Sequence, residues 1–199
     1  MKKINRDYFY NPQLVGLNPL FIEVGLWTIE NLVYLNKAHP NCRLQGYECD
    51  PDNFSTLINN NTLPNLKVFN TAIGWNTGKT EFYKYQYPAW HSKYPKHEYD
   101  KGREIKAVLS VDTVTITEAI TGKVDLLLLN CEGCEIAVMD SLINNEALRH
   151  NIKQLCTSFH ENKCYKKEVK DKYLSLMEKY YDVHINKDNE VVYYLFIPK

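Results

Sequence analysis

The sequence predicts an α/β fold with a doubly wound, mostly parallel seven-stranded sheet that has an antiparallel edge. The main evidence is one segment in which Val124 and Leu126 to Leu129 are aliphatic without alternation, as in a strand covered by helices on both faces. Strand and helix patterns alternate on either side of this segment, as in folds with parallel sheets. Two further strand patterns close the chain without a helix pattern between them, which predicts the antiparallel edge.

The size and composition fit one domain that spans residues 1–199. The chain is 44% hydrophobic and 24% charged, which allows a full core. Lys and Arg together number 24, as do Asp and Glu, so general binding to nucleic acid or to a membrane surface is not expected. No apolar stretch approaches a membrane span, and the segment from Met1 to Asn11 lacks the apolar core of a signal peptide. We therefore expect a cytoplasmic protein, and its oligomeric state stays open.

The elements follow from local patterns taken in order. Strand patterns lie at 20–25, 43–48, 66–73, 80–85, 105–111, 124–130, 153–159, 182–186 and 191–197. Helix patterns lie at 28–38, 50–60, 112–120, 136–149 and 169–181. The first helix should stop before Pro40, and the second should start at Asp50 as the N-cap with Pro51 in the first turn. A turn at 76–78 predicts that the strand at 80–85 forms a hairpin.

The segment at 87–104 has no period and is predicted to be a long loop that acts as a lid or an acceptor-binding element. Its aromatic residues Trp90, Tyr94 and Tyr99 suit stacking on a sugar ring. The alternative is a surface loop with ordinary aromatic anchors.

The cysteines pose a separate question. They number 6, and we expect them to be reduced, because disulfides are rare in cytosolic proteins. A zinc module built on Cys131, Cys134, Cys156 and Cys164 remains an alternative, since thiolates at such spacings can bind zinc.

Three segments, in order, resemble the FkbM-type S-adenosylmethionine-dependent methyltransferases. They are 21–25 (Phe-Ile-Glu-Val-Gly), 46–54 (Gly-Tyr-Glu-Cys-Asp-Pro-Asp-Asn-Phe) and 124–135, which ends Asn-Cys-Glu-Gly-Cys-Glu. Shorter similarities lie at 71–74 and 111–113, so the resemblance spans about residues 20 to 160. The resemblance implies a Rossmann-like class I methyltransferase fold and S-adenosylmethionine as the cofactor.

The cofactor residues that the resemblance implies follow the first strands. Glu48 comes after the second strand, where an acid binds the ribose hydroxyls of such ligands. The remaining expected cofactor contacts are Glu23, Gly25, Ala72 and Asn130. The alternative for Glu48 is a solvated acid that caps the following helix.

The first loop and two later positions depart from the family pattern. Ile29 stands where a second Gly is usual, and Leu26 and Trp27 add bulk to the same loop, so the loop either reshapes the donor pocket or occludes it. Asn130 replaces an Asp and Leu128 replaces a Lys.

The transfer chemistry needs little from the protein beyond positioning, because the sulfonium of the donor already activates the methyl group. A hydroxyl acceptor benefits from a base, so His160, Glu132 and Asn130 are the predicted catalytic residues, with His160 as the base. A purely structural His160 is the alternative. A divalent cation held by these three residues and Glu135 is another.

Together these observations predict an S-adenosylmethionine-dependent O-methyltransferase that acts on a hydroxyl of a small-molecule or carbohydrate-like acceptor. The alternatives are a catalytically inactive methyltransferase-fold binding module and the zinc module.

Overall fold

The computed structural model describes residues 9–86, 92, 104–160, 164–188 and 191–199. Within them the strands are β1 (Leu20–Val24), β2 (Arg43–Tyr47), β3 (Leu66–Phe69), β4 (Ala72–Gly74), β5 (Gly78–Tyr85), β6 (Ile105–Thr115), β7 (Leu126–Leu129), β8 (Leu155–Ser158), β9 (Tyr181–Asp188) and β10 (Val191–Pro198). The helices are α1 (Glu30–Ala38), α2 (Pro51–Asn60), α3 (Ile116–Ala119), α4 (Glu135–Asn144), α5 (Glu146–Asn151) and α6 (Lys167–Met177).

Seven of these strands form the main sheet, in the order β3-β2-β1-β7-β8-β10-β9. The first five are parallel neighbours, and β10 runs antiparallel to both β8 and β9. The predicted fold class is therefore confirmed, including the antiparallel edge.

Helices cover both faces of the main sheet, because successive side chains of a strand point to opposite sides. Leu127 and Leu129 pack on the face that α3, α4, α5 and α6 cover. Leu126 and Leu128 pack on the face that α1 and α2 cover. This two-sided burial explains why the central strand is aliphatic without alternation.

A second sheet, with the order β4-β6-β5, corrects two sequence predictions. The predicted helix at 112–120 is wrong over its first four residues: β6 continues through Thr115, and Thr113 pairs with Gly78 and with Ala72. Thr115 then caps the four-residue helix α3 in a capping box with Glu118. The strand β5 pairs with β6 and not with the strand pattern at 66–73, which itself divides into β3 and β4 in different sheets.

The helix predicted at 136–149 is two helices that meet at Asn145. The backbone of Asn145 is extended, with φ −130° and ψ 100°, and its side chain accepts a hydrogen bond from the Leu148 N–H. The Asn145 side chain hydrogen-bonds to a nearby backbone group and so competes with the hydrogen bonds of a continuous helix. The first helix therefore ends, and the second begins, at this residue. None of the helices in the described ranges is long and apolar enough to cross a membrane.

Candidate functional site

The candidate site lies where the parallel strands β2, β1, β7 and β8 reach their carboxyl ends, the usual place for ligands in sheets of this kind. Gly25 follows β1, Glu48 follows β2, and Asn130 and Glu132 follow β7. His160 comes two residues after β8. The topology thus brings the predicted catalytic residues to the same edge of the sheet as these three cofactor candidates.

Gly25 is required by the close approach of two strand-end loops. Its φ is +82°, and a Cβ atom at this position would overlap the carbonyl group of Asn130. The Asn130 N–H donates to the Val24 oxygen at 2.9 Å in the same contact. Glycine is therefore needed here by the protein's own backbone, whether or not a ligand also lies against it.

The loop after β1 directs its aliphatic bulk into the core. Leu26 is fully buried and lies over Gly46, where a Cβ atom would overlap its side chain. Ile29 is half-buried and packs against the same core cluster, on the α1 side of the sheet. Trp27, in contrast, keeps 45% of its surface exposed. The core therefore accommodates both aliphatic residues of this loop.

Glu48 is a buried carboxylate held by its own chain. It is 7% exposed, and its two oxygens accept hydrogen bonds from the Asp50 N–H at 2.7 Å and from Asn53 Nδ2 at 2.8 Å. Burial raises the pKa of Glu48 to about 7, and these two hydrogen bonds offset only part of that effect. Each carboxylate oxygen can accept two hydrogen bonds, so acceptor capacity remains for a ligand hydroxyl.

Neighbouring side chains join Glu48 to the surrounding loops. Asn53 Nδ2 also lies 3.2 Å from the Leu26 oxygen, which connects the loop after β1 to this acid. Asn70 Nδ2 donates to the Glu48 carbonyl at 2.9 Å. Ala72, another predicted cofactor residue, is half-buried and begins β4 two residues further on.

Glu23 is the remaining predicted cofactor residue, and it lies within the sheet. It is 2% exposed on β1, and its Oε1 accepts a hydrogen bond from Asn31 Nδ2 of α1 at 2.7 Å. This hydrogen bond links β1 to α1 beside the site.

The turn between β7 and α4 has an unusual backbone. Glu132 has φ +47° and Gly133 has φ +119°. A left-handed conformation at a residue other than glycine is uncommon, and such residues concentrate at functional sites. The Glu132 carbonyl accepts a hydrogen bond from Ser92 Oγ at 2.7 Å.

Cys131 and Cys134 form a disulfide across this turn, so the expectation of reduced thiols is wrong for this pair. The turn brings their Cα atoms to 5.6 Å, within the usual range for a disulfide. The other four cysteines are not disulfide-bonded. Cys156 packs in the core on the α1 face, whereas Cys164 packs with Ile136 and lies 4.0 Å from Glu132 Oε2. The four cysteines of the zinc alternative are thus not gathered as ligands.

Metal binding finds no further support in the described ranges, where no group of three or more His, Cys, Asp or Glu residues is arranged to hold an ion.

Both ring nitrogens of His160 face carboxylates. Nδ1 lies 2.6 Å from Glu135 Oε1, and Nε2 lies 3.1 Å from Glu132 Oε1. An ionised carboxylate can only accept a hydrogen bond. A hydrogen bond on each side of the His160 ring therefore requires two protons shared among His160, Glu132 and Glu135. We call these residues the Glu132–His160–Glu135 cluster.

The two acids of this cluster differ in burial. The Glu135 side chain has no exposed surface and begins α4, whose amino end favours a negative charge. Its Oε2 has no hydrogen-bond partner among the described residues. The Glu132 side chain is 16% exposed and is the more accessible acid. Sequence analysis considered Glu135 only as a ligand of a cation. The signal for its contact with His160 was the spacing Glu-Gly-Cys-Glu, in which a helix starts three residues after Glu132.

Asn130 is exposed, and its side-chain oxygen lies 3.5 Å from Ser158 Oγ of the neighbouring strand β8. It therefore lies between the first loop and the His160 strand, available to a ligand.

Asp125, the first acid of the 124–135 segment, lies at the opposite end of β7. It accepts hydrogen bonds from the N–H groups of Gly16 and Leu20 and from Lys153 Nζ at 2.7 Å. Burial alone would raise its pKa, but these hydrogen bonds outweigh burial and lower the pKa below the ordinary value. Asp125 therefore fixes the chain at the amino end of the sheet, away from the site.

Ser92 is a described residue within the predicted lid, and sequence reasoning missed it. It is 5% exposed and forms two backbone hydrogen bonds with Tyr83 of β5. Its contact with Glu132 joins this segment to the turn after β7. The stacking predicted for Trp90, Tyr94 and Tyr99 falls outside the described residues.

Comparison with known proteins identifies the fold. No protein-family model and no curated protein matches the chain. Among solved structures, it is similar to a fibrillarin pre-rRNA processing protein from Methanococcus jannaschii, with a TM-score of 0.55 and 10% identity over 95% of this chain and 70% of that one. It is also similar to a precorrin-6y C5,15-methyltransferase from Geobacter metallireducens, with a TM-score of 0.52 and 11% identity over 92% of this chain and 80% of that one.

Human methyltransferase-like protein 13, solved in complex with S-adenosylhomocysteine, is similar over 96% of this chain and 76% of its own, with a TM-score of 0.51 and 12% identity. The chain therefore has the Rossmann-like methyltransferase fold. Identities this low establish the fold alone, and the activity has to be argued from the site.

Proposed function

We propose that this protein is an S-adenosylmethionine-dependent methyltransferase that transfers a methyl group to a hydroxyl of a small-molecule or carbohydrate-like acceptor. One observation carries the proposal: a single edge of the sheet gathers a buried acid after β2 and the Glu132–His160–Glu135 cluster after β7 and β8. The first suits a nucleoside ligand, and the second suits a group that loses a proton. The FkbM-type assignment is part of this proposal and rests on the sequence segments alone.

The donor half of the site consists of Glu48 and the loop after β1. Glu48 keeps acceptor capacity for the two ribose hydroxyls, and Asn53 holds it in register with the loop. Gly25, Ala72 and Asn130 complete the proposed contacts, with Glu23 behind them. When bound, S-adenosylmethionine supplies an activated methyl group, so these residues need only position it and exclude water.

The acceptor half consists of Glu132 and His160. A hydroxyl that attacks the methyl carbon must lose its proton. When the ring carries only the proton that it shares with Glu135, His160 accepts this proton at Nε2, beside Glu132. Glu135 fixes the ring orientation through Nδ1 and balances the charge of the protonated imidazole. Asn130 offers an exposed amide to the acceptor or to the donor.

A small acceptor fits the charge of the chain better than a polyanion does. One structural neighbour is a pre-rRNA processing protein by name, so nucleic acid is the relevant alternative class. Phosphate binding needs a positive surface, whereas the formal net charge here is zero.

Calorimetry with S-adenosylhomocysteine tests the donor half. We expect wild-type protein to bind, and we expect Glu48→Ala to weaken binding by about tenfold or more, because it loses charge-assisted hydrogen bonds to the ribose. Affinity should also rise with pH through about 7, where Glu48 ionises, and this step should be absent from the variant. Glu146→Ala, which removes an exposed acid of α5, is the control and should bind as wild type does.

The alternative is a methyltransferase-fold binding module without catalytic activity. It is favoured by the two internal hydrogen bonds that already occupy Glu48. Absence of binding in folded wild-type protein would support this alternative and remove the donor proposal.

A further inference from the structure

We propose that Cys131 and Cys134 form a redox site that exchanges with dithiol compounds, and that the state of this site sets the position of Glu132 against His160. The proposal concerns the protein's own covalent chemistry and does not depend on methyl transfer.

The location of the pair separates it from a disulfide that merely stabilises the fold. It closes a loop with only Glu132 and Gly133 between the cysteines. In the chain-entropy description, the stabilisation by a disulfide grows with the length of the loop that it closes, so this bridge stabilises the fold less than bridges over longer loops do. Short bridges of the C-x-x-C type are also those that take part in thiol exchange.

The bridge encloses the backbone that presents Glu132. Both enclosed residues have positive φ, and for Glu132, which has a Cβ atom, this left-handed conformation is energetically unfavourable. The contacts that hold it there include the disulfide, the hydrogen bond from Ser92, the pairing with His160 and the contact of Cys164 Sγ with Glu132 Oε2 at 4.0 Å. Cleavage of the disulfide removes the covalent one, so Glu132 is free to relax toward an ordinary conformation.

The two cysteines differ in solvent exposure and in their position relative to α4, and these differences determine which sulfur is attacked and which one leaves. Cys131 is partly exposed, whereas Cys134 is 4% exposed and is the N-cap of the ten-residue helix α4. An incoming thiolate reaches Cys131 more easily. The amino end of a helix stabilises a thiolate, so Cys134 is the favoured leaving group.

The exchange balances in two steps. A thiolate of the dithiol attacks Cys131 Sγ, the bond to Cys134 breaks, and Cys134 leaves as a thiolate that takes up a proton. The second thiol of the reductant then attacks the mixed disulfide and releases Cys131, which is also protonated. The reductant departs as its own disulfide, and two electrons and two protons have passed to the protein.

Native alkylation tests the exchange in the full chain. The protein is treated with dithiothreitol, labelled with iodoacetamide without denaturant and analysed by peptide mass spectrometry. We expect Cys131 and Cys134 to become labelled while the circular dichroism spectrum is unchanged. A parallel sample that is reduced but not alkylated should regain the disulfide with oxidised dithiothreitol. The buried thiol Cys156 should stay unlabelled, and Cys42→Ser should behave as wild type does.

Nuclear magnetic resonance of the His160 ring nitrogens tests the coupling to Glu132. We expect their signals to shift on reduction of wild-type protein and to match those of Cys131→Ser/Cys134→Ser, which should not respond to dithiothreitol. The wild-type arm needs no variant, so a misfolded double variant would leave the test intact. Labelling that occurs only on unfolding, or reduction that leaves the His160 signals unchanged, would overturn the proposal.

Discussion

Replacing Glu48 by Gln tests whether the buried carboxylate changes the stability of the fold with pH. The pKa of Glu48 is about 7 in the folded protein, against an ordinary value of 4.5 for an exposed acid. Between these two values the folded state holds a proton that the unfolded state has released. The free energy of unfolding must therefore fall as pH rises across this window.

The size of the effect follows from the same two values. At about 1.4 kcal/mol for each pKa unit, the full cost of ionising Glu48 in place is about 3 kcal/mol, of which about 2–3 kcal/mol falls between pH 5 and pH 8. Glutamine does not ionise, so Glu48→Gln lacks this contribution. Its amide opposes Asn53 Nδ2, which adds a cost that does not vary with pH.

The assay is urea unfolding of both proteins at several pH values from 5 to 8. We expect the stability of Glu48→Gln relative to wild type to improve by about 2–3 kcal/mol across this range. Taking the difference between the proteins cancels the titration of histidines and other shared groups. Glu146→Gln serves as the control and should follow wild type. A difference between Glu48→Gln and wild type that is constant with pH would refute the argument that burial governs this carboxylate.

Three other substitutions test the structural assignments, each by urea unfolding. Asp125→Asn should lower the free energy of unfolding by about 1–3 kcal/mol at pH 7, because a buried acceptor loses its charge opposite Lys153. This loss should become smaller as pH falls through the lowered pKa of Asp125 in the folded protein. A loss that is equal at all pH values would contradict the ionic role. Gly25→Ala should cost about 2–4 kcal/mol from the left-handed backbone and the overlap with Asn130, and a loss below about 1 kcal/mol would mean that the two loops separate easily. Leu142→Ala in α4 should cost about 2–5 kcal/mol, because the fully buried side chain leaves a cavity.

The sequence was sufficient for the main sheet, because its signals are local and agree with one another. Asp50 and Pro51 begin α2 as predicted, and the aliphatic segment at 126–129 is the central strand. The end of the long strand β6 was not predictable in this way. Its residues near 112–115 have no periodicity of their own, and pairing with β4 and β5 decides their structure.

The sequence predicted where the candidate site lies better than it predicted which side chains contact one another there. His160 and Glu132 follow neighbouring strands, so their meeting followed from the topology. Glu135 contacts His160 at Nδ1, on the opposite side of the ring from Glu132, and this contact depends on where α4 begins. The left-handed backbone of Glu132 determines where it begins. No residue pattern reports such a backbone in advance. The disulfide was missed because reduced thiols were predicted from the expected cytoplasmic location and not from the geometry of the turn.

The pairing of β1 with β7 at the centre of the sheet bears on how the chain reaches its structure. The first strand pairs with a partner encoded more than half the chain later, and β8 connects the edge pair β10 and β9 to the rest of the sheet. For contacts this distant in sequence, the loss of chain entropy precedes the gain from pairing, which slows folding. A chain in which β7 has not yet paired leaves unpaired backbone groups on one side of β1, and such groups can pair with other chains.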